Sequence, residues 1–170
     1  MRRWNFAMVA LTAASLTGAV AAFAQQDKSI EGIEKYREAL RDGNPAELFE
    51  ASGEELWKKP AGPKNVSLEK CDLGLGAGVV AGAYAQLPRY FKDTDKVQDA
   101  ESRVLTCMST LQGVDVDKYV NANWASREKD ELNALATFIS GMSKGVPIKV
   151  SLAHPKEQQM FNLGKRMFYY

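Results

Sequence analysis

The residues with the most specific chemistry in this chain are its two cysteines, Cys71 and Cys107. Both follow an export-like N-terminus, and in an oxidising compartment an isolated pair forms either a disulfide or a ligand set. A bond across their separation of 36 positions would stabilise the fold by about 4 kcal/mol in the chain-entropy model. That is a large share of the roughly 5–15 kcal/mol that holds a typical domain together.

Other candidate site residues give weaker signals. His154 is the single histidine, which argues against a Ser-His-Asp triad or a multi-histidine zinc site. It precedes Pro155 in a predicted loop, so we expect it at the surface rather than as a ligand or base. The run Gly74-x-Gly76-x-Gly78 lacks both a preceding strand and the Gly-Lys-Ser/Thr ending of a phosphate loop, which favours a simple turn.

The N-terminus is typical of a secretory signal peptide. Arg2 and Arg3 form a positive start, an uncharged apolar run covers residues 7–22, and Ala22-Phe23-Ala24 is a small-x-small cleavage site. A membrane anchor is the alternative, but the run is short and rich in small residues. We therefore predict that residues 1–24 are cleaved and that the protein is periplasmic, without stable membrane insertion.

The balance of charged residues argues against two classes of binding partner. The chain has 22 Lys and Arg against 21 Asp and Glu, a formal net charge of +1. Such a near-neutral chain gives no electrostatic argument for binding nucleic acid or an anionic membrane.

Helical periodicity dominates the rest of the chain, so the predicted class is mainly α with long loops. Trp57, Tyr90 and Phe91 are expected in the core rather than as stacking platforms. The pattern also predicts a short strand at Ile148–Leu152. Five helices are predicted: from the Ser29 cap to Leu40, Gly53–Lys59, Asp99–Gln112, Ser126–Ser143, and one from Pro155 onward. In the third helix Cys107 is expected to face inward beside Val104, Met108 and Leu111. In the fourth helix one face is formed by Leu132, Leu135, Phe138, Ile139 and Met142, and Gly145 is the predicted C-cap.

Three stretches resemble one known family. They are Gly53-Glu-Glu-Leu-Trp57 with Leu68-Glu-Lys-Cys71-Asp-Leu-Gly-Leu-Gly-Ala-Gly78, then Gly82-Ala-Tyr-Ala-Gln-Leu-Pro-Arg-Tyr-Phe91, then Val104-Leu-Thr-Cys107-Met. They are similar to SoxA, the cytochrome c A subunit of the Sox thiosulfate-oxidation system (L-cysteine S-thiosulfotransferase), in its N-terminal part and single-haem type. The resemblance covers most of residues 53–170.

The resemblance implies a cytochrome-c-like helical domain that lacks its haem. Cys71 stands where a first haem-attachment cysteine would be, but Gly74 and Leu75 occupy the places of the second cysteine and the histidine. Cys107 corresponds to the distal iron ligand. From this correspondence we predict a Cys71–Cys107 disulfide, and we assign no catalytic, cofactor-binding or metal-binding residue within residues 1–170.

The same resemblance gives a domain plan. Residues 25–52 are expected to be an N-terminal helical extension, 53–152 the haem-free domain and 153–170 the opening helix of a second, truncated cytochrome c domain. A faint repeat of Gly53-x-x-Leu56-Trp57 at Gly164-x-x-Met167-Phe168 supports that helix. On this interpretation the chain is a fragment that stops before its haem c motif.

The function implied by the resemblance is that of a complex. SoxA pairs with a small SoxX-type cytochrome c, and together they couple thiosulfate oxidatively to a cysteine of a SoxYZ-type sulfur-carrier protein and pass electrons to haem. This chain would supply a structural domain and be inactive alone. One alternative is a haem-free adaptor for a partner cytochrome; a stand-alone electron carrier with haem at Cys71 is disfavoured because the histidine is missing.

Overall fold

The computed structural model describes residues 30–40 and 43–169. These residues are mainly helical, which confirms the predicted fold class. The predicted signal peptide and the Ser29 cap lie outside the described residues. The chain divides into two compact units, Met1–Asn44 and Pro45–Tyr170.

The first unit contains helix α1, residues 30–39, where the sequence predicts it. Its apolar stripe lies on one face, and the side chains of Ile30, Ile33 and Tyr36 are exposed to between 49% and 66%. An ion pair of 2.8 Å between Lys35 and Glu31 adds local support across one helical turn.

Helix α2 spans Ala46–Lys58 and begins well before the predicted start at Gly53. Pro45 precedes it, and the intervening Ala46, Glu47 and Leu48 are all good helix formers. The prediction was wrong because Gly53 was taken as a helix start. It is instead a buried interior position of the helix.

Gly53 lies at the main helix–helix contact, between α2 and helix α5, which spans Arg127–Gly141. A Cβ atom at Gly53 would lie 2.0 Å from the carbonyl oxygen of Ala134, so only glycine permits this approach. The rings of Trp57 and Phe138 complete the contact with centroids 6.0 Å apart. The Ser126 hydroxyl caps α5 by accepting a hydrogen bond from the Lys129 amide.

Helix α3 spans Ala100–Cys107, and a π-helical turn continues it over Met108–Gln112. The Asp99 carboxylate caps it by accepting from the Ser102 amide at 2.8 Å. Gly113 then ends it in the left-handed conformation, with φ +71°. The predicted helix over Asp99–Gln112 is therefore confirmed, with a wider last turn than expected.

The remaining elements are short, apart from the last helix. The hairpin of β1 and β2 pairs Tyr90 with Val97 in antiparallel register and was not predicted. Helix α6 confirms the predicted start at Pro155. The 3-10 turns span Leu68–Lys70 and Tyr84–Gln86, and the strands are β1 (Arg89–Phe91) and β2 (Lys96–Gln98). The two helices are α4 (Asp117–Val120) and α6 (Pro155–Tyr169).

Three predictions around residue 145 were wrong. Ile148–Leu152 is irregular, because its backbone finds no partner strand and donates only one hydrogen bond, from Lys149 to Ala85. Met142 is 46% exposed, because α5 ends at Gly141 and releases it from the inward face. Gly145 is not the C-cap and lies in the following turn.

The core of the second unit sits between α2, α3 and α5. Its members are mainly aliphatic and aromatic, and both cysteines belong to it. The buried cluster consists of Trp57, Leu68, Cys71, Leu73, Val80, Ala83, Val104, Cys107, Met108, Tyr119, Leu132, Leu135, Phe138 and Ile139. No helix in the described residues has the length and apolar character needed to cross a membrane.

Replacing Gly53 with alanine tests the close approach of α2 and α5. We expect Gly53→Ala to lower the free energy of unfolding by about 2–3 kcal/mol, because the new methyl group meets backbone rather than a side chain that can move. The measurement is urea unfolding followed by circular dichroism.

Gly164→Ala is the matched control for that experiment. Gly164 is also a helix-interior glycine, but no atom lies within 4 Å of its added Cβ. Alanine there should leave stability unchanged or raise it by up to about 1 kcal/mol. Equal losses in the two variants would contradict the packing argument.

Candidate functional site

The two cysteines are brought together at the centre of the second unit. Cys71 ends the 3-10 turn Leu68–Lys70, and Cys107 is the last α-helical residue of α3. Their Cα atoms lie 5.6 Å apart and their Sγ atoms are bonded to each other. The two residues are 1% and 4% exposed, so the bond is shielded from solvent.

A tight glycine-rich turn follows Cys71 directly. The Asp72 carboxylate accepts hydrogen bonds from the backbone amides of Gly74 and Gly76, at 2.7 and 3.0 Å. The Gly78 amide donates to the Cys71 carbonyl at 3.0 Å and closes the turn. The predicted turn is confirmed, and the amides of Gly74 and Gly76 already have a partner, so they are not free to hold phosphate.

Gly74 fixes the path of this turn. Its φ is +102°, a conformation that residues with a side chain rarely adopt, and a Cβ atom there would lie 2.4 Å from Cδ of Arg89. The Arg89 guanidinium donates in turn to the Gly74 carbonyl. A second cysteine at this position would therefore require the turn to refold.

Arg103 ties the turn to α3 and was missed by the sequence analysis. It lies one helical turn before Cys107 and is only 5% exposed. Its Nε donates to the Asp72 carbonyl at 2.6 Å, its Nη1 to the Asp93 carboxylate at 2.7 Å, and its guanidinium carbon lies 4.0 Å above the Phe91 ring. The sequence signal for a buried Arg103 is its position four residues before the inward-facing Cys107, because residues four apart lie on the same face of a helix.

The residues around the disulfide do not fit a haem c. Both sulfur atoms are used in their mutual bond, and no free cysteine remains among the described residues. Leu75, at the place of an attachment histidine, packs against the apolar core. No group of three or more His, Cys, Asp or Glu in residues 30–40 and 43–169 is arranged to hold a metal ion.

His154 lies at the N-terminus of α6, away from the cysteines. Its ring stacks on Tyr90 with centroids 3.6 Å apart and planes 5° apart, and it is partly exposed. Tyr90 is therefore a stacking partner and not the core residue that was predicted. Phe91 and Trp57, at 5% and 3% exposure, are in the core as predicted.

Glu157 anchors the same end of α6. Its carboxylate is buried and accepts from the backbone amides of Tyr90 at 2.8 Å and His154 at 3.0 Å. Burial by itself would raise the pKa of this carboxyl. The hydrogen bonds from His154, Tyr90 and Ser151 outweigh burial and bring the pKa below its ordinary value.

The fold and the buried site together define a small helical domain of the cytochrome c type. The family model of the SoxA/TsdA cytochrome c domain matches residues 52–148. The chain belongs to this family, and the resemblance drawn from its motifs is confirmed.

Individual relatives agree with the family match. The chain is 48% identical to the L-cysteine S-thiosulfotransferase subunit SoxA of Hydrogenophilus thermoluteolus, over 100% of this chain and 63% of that protein. It is 32% identical to the subunit of the same name from Hydrogenobacter thermophilus, over 87% of this chain and 56% of that protein. The chain thus spans less than two thirds of these relatives.

A solved structure shares the fold. The crystal structure of SoxXA from P. pantotrophus matches with a TM-score of 0.58 at 24% sequence identity. The match covers 74% of this chain and 44% of that chain.

Removing the disulfide tests its structural role. We expect a chain with both Cys71→Ser and Cys107→Ser to lose about 4 kcal/mol of unfolding free energy, because its unfolded state is no longer closed by a loop. The measurement is urea unfolding, and the wild-type chain in excess dithiothreitol should unfold at the same urea concentration as the variant. Intact mass without reduction provides the direct check: two free thiols, or the added mass of a haem, would contradict the bond.

The lowered pKa of Glu157 predicts a pH dependence. A carboxyl whose pKa is depressed on folding contributes stability above its unfolded pKa, near 4.5, and this contribution is lost as pH falls through the folded pKa. Wild type should be about 1–2 kcal/mol more stable than Glu157→Gln at pH 7. The two should converge as pH falls below about 4.5 and through the lowered folded pKa of Glu157.

Glu47→Gln is the control for this pH series. Glu47 lies in the first turn of α2, as Glu157 does in α6, but its side chain is exposed. The variant should track wild type at every pH. A Glu157→Gln difference that stays constant down to pH 3 would refute the assigned ionisation.

Proposed function

We propose that this chain supplies a haem-free structural domain to a thiosulfate-oxidising cytochrome complex. The observation that carries the proposal is the buried Cys71–Cys107 bond in a chain of the SoxA/TsdA cytochrome c family. In that position the two sulfur atoms hold the protein together and neither is left for haem attachment or iron ligation.

The activity belongs to the complete complex. Its reaction joins thiosulfate to a carrier cysteine: the thiol R–S–H and ⁻S–SO₃⁻ form R–S–S–SO₃⁻, releasing one proton and two electrons. The relatives' name, L-cysteine S-thiosulfotransferase subunit, supports this reaction. We place the electron-accepting haem c in the part of those relatives that this chain does not span. The cysteine that receives thiosulfate would belong to a SoxYZ-type carrier protein.

The partner cytochrome is proposed on the same basis. The structural neighbour is a SoxXA protein, which supports a SoxX-type subunit as the partner. A periplasmic location follows from the signal-like residues 1–24, where oxidising conditions would also maintain the Cys71–Cys107 bond.

A second candidate function is a haem-free adaptor that only recruits a cytochrome. The exposed apolar side chains of α6 favour it, because Phe161, Met167 and Phe168 are 55%, 76% and 84% exposed. The two proposals differ in whether thiosulfate-dependent electron transfer depends on the polypeptide that carries this domain.

Activity in the complex separates these possibilities. When the full-length polypeptide that carries this domain is combined with a SoxX-type cytochrome and a thiol carrier, we expect thiosulfate-dependent haem reduction and a carrier mass increased by one thiosulfonate group. The Cys71→Ser, Cys107→Ser complex should unfold at lower temperature but keep its haem absorbance and its turnover at 20 °C. Loss of haem from that variant would refute the structural role. Binding of the cytochrome without coupling would favour the adaptor.

A further inference from the structure

The second unit contains a half-open cavity of about 450 Å³ that neither cysteine lines. Leu68 and Met108 form part of its wall, and each is close in sequence to a cysteine. Leu56 of α2 and Leu135 of α5 line it from the other side. Its volume falls in the range of small-molecule sites, about 300–1,000 Å³. The apolar wall suits a hydrocarbon chain or ring.

The rim of this cavity offers cations. Lys59, Lys118 and Arg127 all line it. Lys118 lies with its Nζ 5.2 Å from the centre of the Tyr119 ring. In the part of the chain that the structure describes, neither lysine forms an ion pair with a carboxylate. Both ammonium groups can therefore turn towards an anion in the cavity mouth.

The carboxylates on the rim are already engaged. Glu131 accepts from the Tyr119 hydroxyl at 2.9 Å and from Arg127 Nε at 2.8 Å. Asp115 accepts from the Asp117 amide at 3.1 Å. Burial first, and then the bond to Glu131, raise the pKa of Tyr119 to about 12, so the phenol stays neutral and keeps donating to Glu131. Arg127 balances Glu131, and the two lysines outweigh the single charge of Asp115, so the rim carries a net positive charge.

A neighbouring groove has a rim of the opposite charge. It has a volume of about 540 Å³, and Leu48 and Phe49 contribute to its apolar wall. Its rim carries Glu55 and Asp130 in addition to the shared Arg127–Glu131 pair. This groove presents net negative charge and would repel an anion, so of these two pockets the first is the one that suits an anionic head.

We propose that the cavity between Leu68, Met108 and Leu135 binds an amphiphilic monoanion. The ligand class is an alkyl or aryl body that carries one carboxylate or sulfonate. Its body lies against the partly exposed side chains of Leu56 and Val114, and its head is bound by Lys59 and Lys118. This site is separate from the proposed function, because neither cysteine lines it.

The test uses the full chain with the fluorescent aryl sulfonate 8-anilinonaphthalene-1-sulfonate and with decanoate as competitor. Decanoate should displace the dye, whereas decyltrimethylammonium, with the same alkyl chain and opposite charge, should not. Amide chemical-shift changes on adding decanoate should centre on Gly62, Gly113 and Val114, which line the cavity.

Charge variants locate the anionic head. Lys59→Gln with Lys118→Gln should weaken decanoate binding roughly fivefold, because both exposed charges that would pair with the carboxylate are removed. Lys165→Gln removes a charge from α6, the other exposed apolar surface, and should leave binding unchanged. Equal displacement by the cationic detergent, shift changes confined to α6, or unaltered binding in the double variant would each overturn the proposal.

Discussion

The covalent link between Cys71 and Cys107 is the constraint on which the second unit depends. It joins the end of an irregular stretch to the end of α3, the helix that packs against α5. Long segments without regular structure rarely hold their shape alone. By closing the loop between the two cysteines, the bond removes conformations from the unfolded chain and so favours the compact arrangement around α2, α3 and α5.

A polar network reinforces the same connection. Arg103, one turn before Cys107, reaches the backbone of Asp72, the residue after Cys71. The two segments are therefore joined by a sulfur–sulfur bond and by a charged hydrogen bond. Burying a guanidinium is costly unless its donors are paired, and Asp93 and the Phe91 ring provide the compensation.

The sequence was sufficient for features that depend on neighbouring residues. The helices predicted to begin at Asp99, Ser126 and Pro155 rest on local signals, and each begins within one residue of the predicted position. Features set by distant partners could not be predicted in this way. Arg103 contacts Asp72 across 31 positions, and no local pattern encodes that contact.

The errors have the same physical origin. Ile148–Leu152 alternates as a strand does, but a strand also needs a partner, and the one backbone–backbone hydrogen bond of this segment runs from Lys149 to Ala85. The position of Gly53 within α2 depends on the approach of Ala134 from another helix. The pairing of the cysteines was predicted through a family resemblance, since two cysteines alone leave the choice between a bond and ligands open.

The anchoring of α6 has a mechanical consequence. Glu157 is tied to the hairpin at the first turn, and Lys156 contacts Asp95 beside it, whereas the later turns present exposed side chains. A helix of 15 residues is about 22 Å long, and α6 is held at the end that contacts the hairpin. A tilt of about 10° at the base would move its tip by roughly 4 Å. A change of tilt at the hydrogen bonds of Glu157 would therefore displace the exposed C-terminal turns of α6 the most.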